Sequence, residues 1–259
     1  MRRYALIGRR LEHSWSQRWF EEHFERLGLH NYAYELKEMD QLDGLRQWVE
    51  KEGIEGFNVT VPYKQSIFRH LDTLDTTAKA IGAVNCVHIE HGQLIGYNTD
   101  TPAFLDTILN SKFEIRHCIV LGTGGAAHAV AYALRQIGVD PLFVSRHPQG
   151  ENQVGYDALC SHHCPPQTLI VNATPVGMYP HGEDVPLDLR RVMGCSKIDE
   201  RWMVYDLIYN PSPTRLLHEA ALLGARTMDG LAMLERQAEL SWNLWNKMEP
   251  SHPAKRATQ

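Results

Sequence analysis

One stretch, Gly122-Thr123-Gly124-Gly125-Ala126-Ala127, limits what this chain can fold into more than any other. It follows an apolar run, His117–Leu121, that reads as a strand, and it opens a second apolar run, to about Ile137, that reads as a helix. Glycines here permit a tight turn and close backbone approach to a pyrophosphate. The helix start adds unpaired N–H groups and a partial positive charge. A plain strand–helix turn is the alternative, but the apolar flanks favour a dinucleotide site with Gly122, Gly124, Gly125 and Ala126 at the phosphates.

The end of the next strand decides between the two nicotinamide cofactors. About 20 residues past the turn, an acid would accept hydrogen bonds from an NAD ribose. Here the strand ends Val144-Ser145-Arg146-His147-Pro148. A guanidinium can grip a 2′-phosphate with two parallel bonds. Ser145 and Arg146 therefore join the cofactor set, and NADP(H) is the expected cofactor.

Strand and helix signals alternate along the chain. Strands are predicted at Tyr4–Gly8, Tyr32–Leu36 and Gly56–Val61, and a hairpin pairs Val84–Glu90 with Gln93–Tyr97 around His91-Gly92. Helices are predicted at Ser16–Leu27, Leu42–Glu52, Tyr63–Leu71, Thr76–Ile81 and Ala103–Leu109. Beyond the glycine turn, strands follow at Pro141–Ser145, Thr168–Asn172 and Met203–Ile208. Leu231–Met248 carries apolar residues at three- and four-residue steps and is the best amphipathic helix. Such alternation argues for parallel sheets covered by helices. The fold class is α/β, with two domains and a cleft between them. Residues 1–101, joined by the C-terminal helix 230–248, form a substrate-binding catalytic domain. Residues 102–229 form a doubly wound, Rossmann-type NADP-binding domain, and 249–259 is read as a disordered tail.

Composition excludes several classes. The 259 residues are 43% hydrophobic and 22% charged, with a net charge of -5. No overall basic field exists for nucleic acid or an anionic membrane. The apolar part of Met1–Gly8 is too short for a signal peptide, and no run approaches the ~20 apolar residues of a membrane span. A cytoplasmic protein is expected, as a monomer or homodimer. The five cysteines read as free thiols. Cys160-Ser161-His162-His163-Cys164 has zinc-type ligands but no second pair, and Pro165-Pro166 follows. It reads as a solvated loop, and no metal is expected.

Two charged residues stand at element ends, where groups often face a cleft. Lys64 follows the strand Asn58–Val61, and Asp100 precedes the change of pattern near residue 101. Carbonyl reduction needs a hydride donor on one side and a proton donor near the oxygen. A lysine can supply that proton, and a carboxylate can orient its ammonium. Nothing in the spacing brings the two together, and a lone Lys or Asp is more often a surface charge.

Several further motifs, in order, resemble those of the shikimate dehydrogenase family, from Tyr4 to about Lys247. His13-Ser14-Trp15-Ser16 resembles its H-S-x-S segment. Asn58-Val59-Thr60-Val61-Pro62-Tyr63-Lys64 resembles N-V-T-x-P-x-K, and Gly82-Ala83-Val84-Asn85 resembles G-A-V-N. Gly96-Tyr97-Asn98-Thr99-Asp100 resembles G-x-N-T-D. Asn172 to Met178 resembles N-A-T-P-x-G-M, Tyr205 to Pro211 resembles Y-D-x-x-Y-x-P, and Gly230 to Gln237 resembles G-x-x-M-L-x-x-Q. The resemblance implies reversible NADPH-dependent reduction of 3-dehydroshikimate to shikimate, in the pathway to chorismate and the aromatic amino acids. It implies Lys64 and Asp100 as the catalytic pair. Ser14 and Ser16 would hold the substrate carboxylate, and Thr60, Asn85, Tyr209 and Gln237 the rest of the substrate. Thr174, Leu207, Gly230 and Met233 would lie along the cofactor.

The chain departs from the family pattern in places. Gln17 stands where proline is usual, Arg9-Arg10 replaces a glycine–proline-type approach, and Thr101-Pro102-Ala103 follows Asp100. Two rival readings are an NAD-preferring quinate/shikimate dehydrogenase and a non-catalytic nucleotide-binding protein. Arg146 speaks against the first, and Lys64 with Asp100 against the second.

Overall fold

The computed structural model describes residues 1–11, 14–159, 164–193 and 199–247. His13, Cys160–His163 of the candidate zinc cluster, and the tail 249–259 lie outside the described residues. The chain divides into two compact units. One comprises Met1–Ala80, Val84–Thr99 and the chain from Glu235 onward; the other comprises Ile81–Ala83 and Asp100–Leu234.

The first unit runs β1 (Arg2–Gly8), α1 (Trp15–Arg26), β2 (Tyr32–Glu38), α2 (Leu45–Glu52), β3 (Ile54–Val59), α3 (Tyr63–Ser66), β4 (Thr73–Leu74), α4 (Thr76–Ile81), β5 (Cys86–Glu90) and β6 (Gln93–Tyr97). Its six-stranded sheet has the order β2-β1-β3-β5-β6-β4. β1 pairs in parallel with β2 and β3, while β5 runs antiparallel to both β3 and β6. The sheet is thus mixed, not parallel as alternation alone predicts, because the hairpin at His91-Gly92 reverses the chain without a crossover helix.

Alternation along β1 sends side chains to two cores. Ala5 and Ile7 pack with Leu45, Val49, Phe57, Val59 and Ile67 on one face. Tyr4 and Leu6 pack with Phe20, Phe24, Ala238, Trp242 and Trp245 on the other. The Tyr4 and Trp245 rings stack at 4.7 Å, and those of Phe20 and Tyr34 at 4.1 Å. Trp242 and Trp245 are buried anchors of the last helix.

The second unit runs α5 (Asp100–Asn110), β7 (His117–Leu121), α6 (Gly125–Gln136), β8 (Leu142–Val144), β9 (Gln153–Val154), α7 (Tyr156–Leu159), β10 (Thr168–Asn172), α8 (Leu189–Met193), β11 (Trp202–Asp206), α9 (Arg215–Leu223), β12 (Arg226–Met228) and the start of α10 (Leu231–Trp245). Its sheet, β12-β11-β10-β7-β8-β9, is parallel throughout. The unbroken apolar runs of β7 and β10 are what a strand covered on both faces requires. The order turns back on either side of β7, so the turns after β7 and β10 flank a topological switch point, where such sheets hold ligands.

The predicted helix at Tyr63–Leu71 is instead α3 followed by a 3-10 turn at Ile67–His70. Helix α5 starts at Asp100, earlier than predicted, and takes Pro102 into its first turn, where no N–H is needed. Within the second unit, Ile81 and Ala83 pack with Ala129 and Tyr132. Cys164 is buried beside Leu159 and Trp202, not solvated as the loop reading has it, and its carbonyl accepts from Trp202 Nε1. Among the described residues, no helix is long and apolar enough to cross a membrane.

Candidate active site

Within the first unit, main-chain bonds weave the motif segments together. Thr60 N–H donates to the Ile7 carbonyl, and Val59 N–H to that of Asn85. Val84 N–H donates to the Lys64 carbonyl at 2.8 Å, so the Gly82–Asn85 segment is tied to the backbone of Lys64. Lys64 lies in α3, one residue after buried Tyr63, with its own side chain half-buried. The Tyr63 hydroxyl donates to the Met39 carbonyl, which pins the helix start. Ser14 caps α1, its Oγ accepting from Ser16 N–H at 3.3 Å; Ser16 is buried and Ser14 half-buried.

A chain of buried polar groups continues from there. Tyr34 Oη donates to Asn58 Oδ1 at 2.9 Å, and Asn58 Nδ2 donates to Ser241 Oγ at 2.8 Å. Asn85 holds Thr99 twice: its Oδ1 accepts from Thr99 N–H at 2.7 Å, and its Nδ2 donates to Thr99 Oγ1 at 2.9 Å. Asn85 Nδ2 also reaches Gln237 Oε1 at 3.5 Å. Thus Asn85 and Gln237, far apart in sequence, come together, and Asp100 follows Thr99 by one peptide bond. Asp100 opens α5 and is itself buried.

In the second unit, Gly122 takes φ +100°, which favours glycine. A Cβ there would lie 3.1 Å from Thr174 Cγ2. Gly124 is the exposed N-cap of α6 and has no side-chain cap, so the first-turn N–H groups of Gly125 and Ala126 have no side chain of their own covering them. Ser145 closes β8, its N–H bonded to the Val154 carbonyl, and Arg146 beside it is exposed. The Arg146 charge reaches Tyr156, opposing the rise that burial imposes on that phenol. Met233 is buried on α10, and Tyr209 is half-buried.

The turns after β10 and β11 share a buried carboxylate. Asp206 Oδ1 accepts from Asn172 Nδ2 at 3.0 Å and from Ile208 N–H at 3.1 Å, and its Oδ2 accepts from Thr214 Oγ1 at 2.8 Å. Asn172 Oδ1 in turn accepts from the N–H and hydroxyl of Thr174. Leu207 N–H donates to the Asn172 carbonyl and Gly230 N–H to that of Ile208, so Thr174, Leu207 and Gly230 belong to one bonded cluster. Burial raises the Asp206 carboxyl to about 6, despite the opposing hydrogen bonds from Thr214, Ile208 and Asn172.

A profile of the shikimate dehydrogenase substrate binding domain matches residues 6–87. The shikimate dehydrogenase (NADP(+)) of Carboxydothermus hydrogenoformans is 33% identical over 95% of this chain and 92% of its own. The chain belongs to the shikimate dehydrogenase family. The Bacillus subtilis member, also a shikimate dehydrogenase (NADP(+)), is 33% identical over 96% of this chain and 92% of its own. Among solved structures, the Thermus thermophilus shikimate 5-dehydrogenase in complex with NADP(H) and shikimate matches at TM-score 0.82 and 33% identity. That match covers 97% of this chain and 95% of that one.

Against the family pattern, Arg9 and Arg10 are exposed, and the Arg9 guanidinium lies 5.9 Å from the centre of the Tyr63 ring. The family motifs imply no role for Asn58, Thr99, Ser241 or Asp206. Asn58, Thr99 and Asp206 stand inside quoted motifs, but nothing in sequence separates a residue that meets substrate from one that meets another side chain. Ser241 carries no motif signal. Its position on α10, four residues after Gln237, is the one hint that both share a helix face.

Proposed function

We propose that this chain is an NADP-dependent shikimate dehydrogenase that interconverts 3-dehydroshikimate and shikimate. The observation that carries the reading is the joining of Asn85, Thr99 and Gln237, from three separate motifs, into one buried hydrogen-bonded group in the first unit. Relatives named for this activity match almost end to end.

In this reading Ser14 and Ser16 donate to the substrate carboxylate, and Thr60, Asn85, Tyr209 and Gln237 contact the rest of the substrate. Buried polar groups of this kind discriminate against analogues lacking the matching hydroxyl, since a partner would go unpaired. Lys64 Nζ gives its proton to the carbonyl oxygen as the alcohol forms and takes it back in the oxidative direction. Asp100 orients that ammonium and favours its charged form.

The chain's residues fit NADP. The Gly122 turn brings backbone close without a side chain, and the uncapped start of α6 offers N–H groups to a pyrophosphate. Arg146 offers a cation for the 2′-phosphate, and Thr174, Leu207, Gly230 and Met233 would lie along the cofactor. The cofactor, when bound, supplies or receives the hydride. The enzyme is placed in the cytoplasm, as a monomer or homodimer, with residues 1–101 and the last helix as the substrate domain and 102–229 as the cofactor domain.

The test is a reduced-nicotinamide absorbance assay on the purified chain with shikimate plus NADP or NAD. Turnover with shikimate and NADP is expected. Absence of turnover with either cofactor overturns the reading.

A further inference from the structure

The buried chain of side chains in the first unit has a direction that can be worked out proton by proton. The Asn58 amide has one orientation, because the atom beside the Asn85 carbonyl (3.2 Å) must be a donor. Its oxygen then accepts from Tyr34, whose full burial keeps the phenol protonated. The Asn85 amide is also fixed, because the atom facing Thr99 N–H must be its oxygen. Hence Thr99 Oγ1 receives a proton from Asn85, and Ser241 Oγ receives one from Asn58.

Ser241 has a single hydroxyl proton, and the Gln237 carbonyl, one helical turn back, accepts it at 2.9 Å. The 3.2 Å contact between Thr99 Oγ1 and Ser241 Oγ must then run from Thr99 to Ser241. Ser241 therefore accepts twice and donates once. It is fully buried, as are Asn58, Asn85 and Thr99 nearly so, and no bulk water can substitute for a lost bond.

We infer that Ser241 is a positioning residue for the dehydrogenase reaction: its hydroxyl sets Thr99, and so Asn85 and the peptide leading into Asp100. It touches neither substrate nor cofactor in this account. The inference rests on the proposed function for its kinetic consequence, but its structural claim stands apart. With Ser241 replaced by alanine, the Thr99 hydroxyl loses its acceptor and Asn58 Nδ2 loses its nearer one. Thr99 Oγ1 then keeps only the bond it accepts from Asn85 Nδ2, and the Asn85–Thr99 pair is no longer anchored through Ser241.

The experiment compares wild type, Ser241→Ala, Thr99→Val and the double variant. Amide hydrogen exchange is read first, without substrate. The Thr99 amide, held by Asn85, should exchange about tenfold faster in Ser241→Ala, with the amides of β1 unchanged. Unchanged protection at Thr99 overturns the inference whatever the enzyme does. The kinetic arm should show kcat/KM for shikimate lowered about tenfold in each single variant, with KM for NADP within about twofold of wild type. The double variant should lose no more than the worse single one, because both break the same link. Additive losses, or an equal rise in both KM values, would assign Ser241 a merely structural part. A wild type without shikimate turnover, alongside the predicted exchange pattern, would sink the function and leave the wiring standing.

Discussion

Asn172 donates its side-chain amide to Asp206 at 3.0 Å across the ends of two neighbouring parallel strands, where the two residues are register partners and both are fully buried. The pair joins the turn carrying Thr174 to the turn carrying Leu207. A carboxylate without a cation among its hydrogen-bond partners leaves a clear mark on titration.

Burial raises the Asp206 carboxyl to about 6, above the ordinary carboxylate range. The folded state therefore holds this proton more tightly than the unfolded chain. The associated stability is complete below about pH 4 and is lost as pH climbs to about 6, amounting to roughly 2–3 kcal/mol. Asp206→Asn removes that titration. Urea unfolding at pH 4.5 and pH 7.5 should show the variant gaining on wild type at the higher pH. A difference between the two proteins that does not move with pH would refute this.

Lys64→Ala should lower kcat by about 10²-fold or more, with a smaller change in KM for shikimate, because the proton is needed in the transition state more than in binding. Steady-state kinetics in both directions check it. Unchanged turnover would remove Lys64 from the chemistry.

Arg146→Ala should raise KM for NADP by about tenfold or more while moving that for NAD little. The residue is exposed just past the end of β8, where the proposed function has it meet the 2′-phosphate. Equal losses for both cofactors would end its assignment to the 2′-phosphate.

Gly230→Ala should be among the most damaging single-methyl changes in the second unit. A Cβ at this position would lie 2.0 Å from the Leu207 carbonyl oxygen, and that oxygen is backbone. We expect a loss of about 2–4 kcal/mol in stability, read by thermal or urea unfolding. Wild-type stability in the variant would contradict the close approach of these two segments.

Local chemistry was legible in the sequence. The spacing of apolar residues marks β7 and β10 at the bounds found, and the two-residue turn at His91-Gly92 marks the hairpin. The glycine turn marks the start of α6, because each of these signals acts within a few residues of itself. Only the tertiary structure decided that β5 pairs antiparallel with β3, that Cys164 is buried, and that short pieces such as β4, β9 and β12 pair at all. It also decided which polar residues turn inward. Asn58, Thr99 and Ser241 have compositions typical of a surface, and Asp206 reads as an ordinary strand-end charge. Their hydrogen-bond partners stand up to 183 positions away along the chain. Burial of a polar group depends on a partner that arrives through packing, and packing is a property of the folded chain, not of any window of sequence.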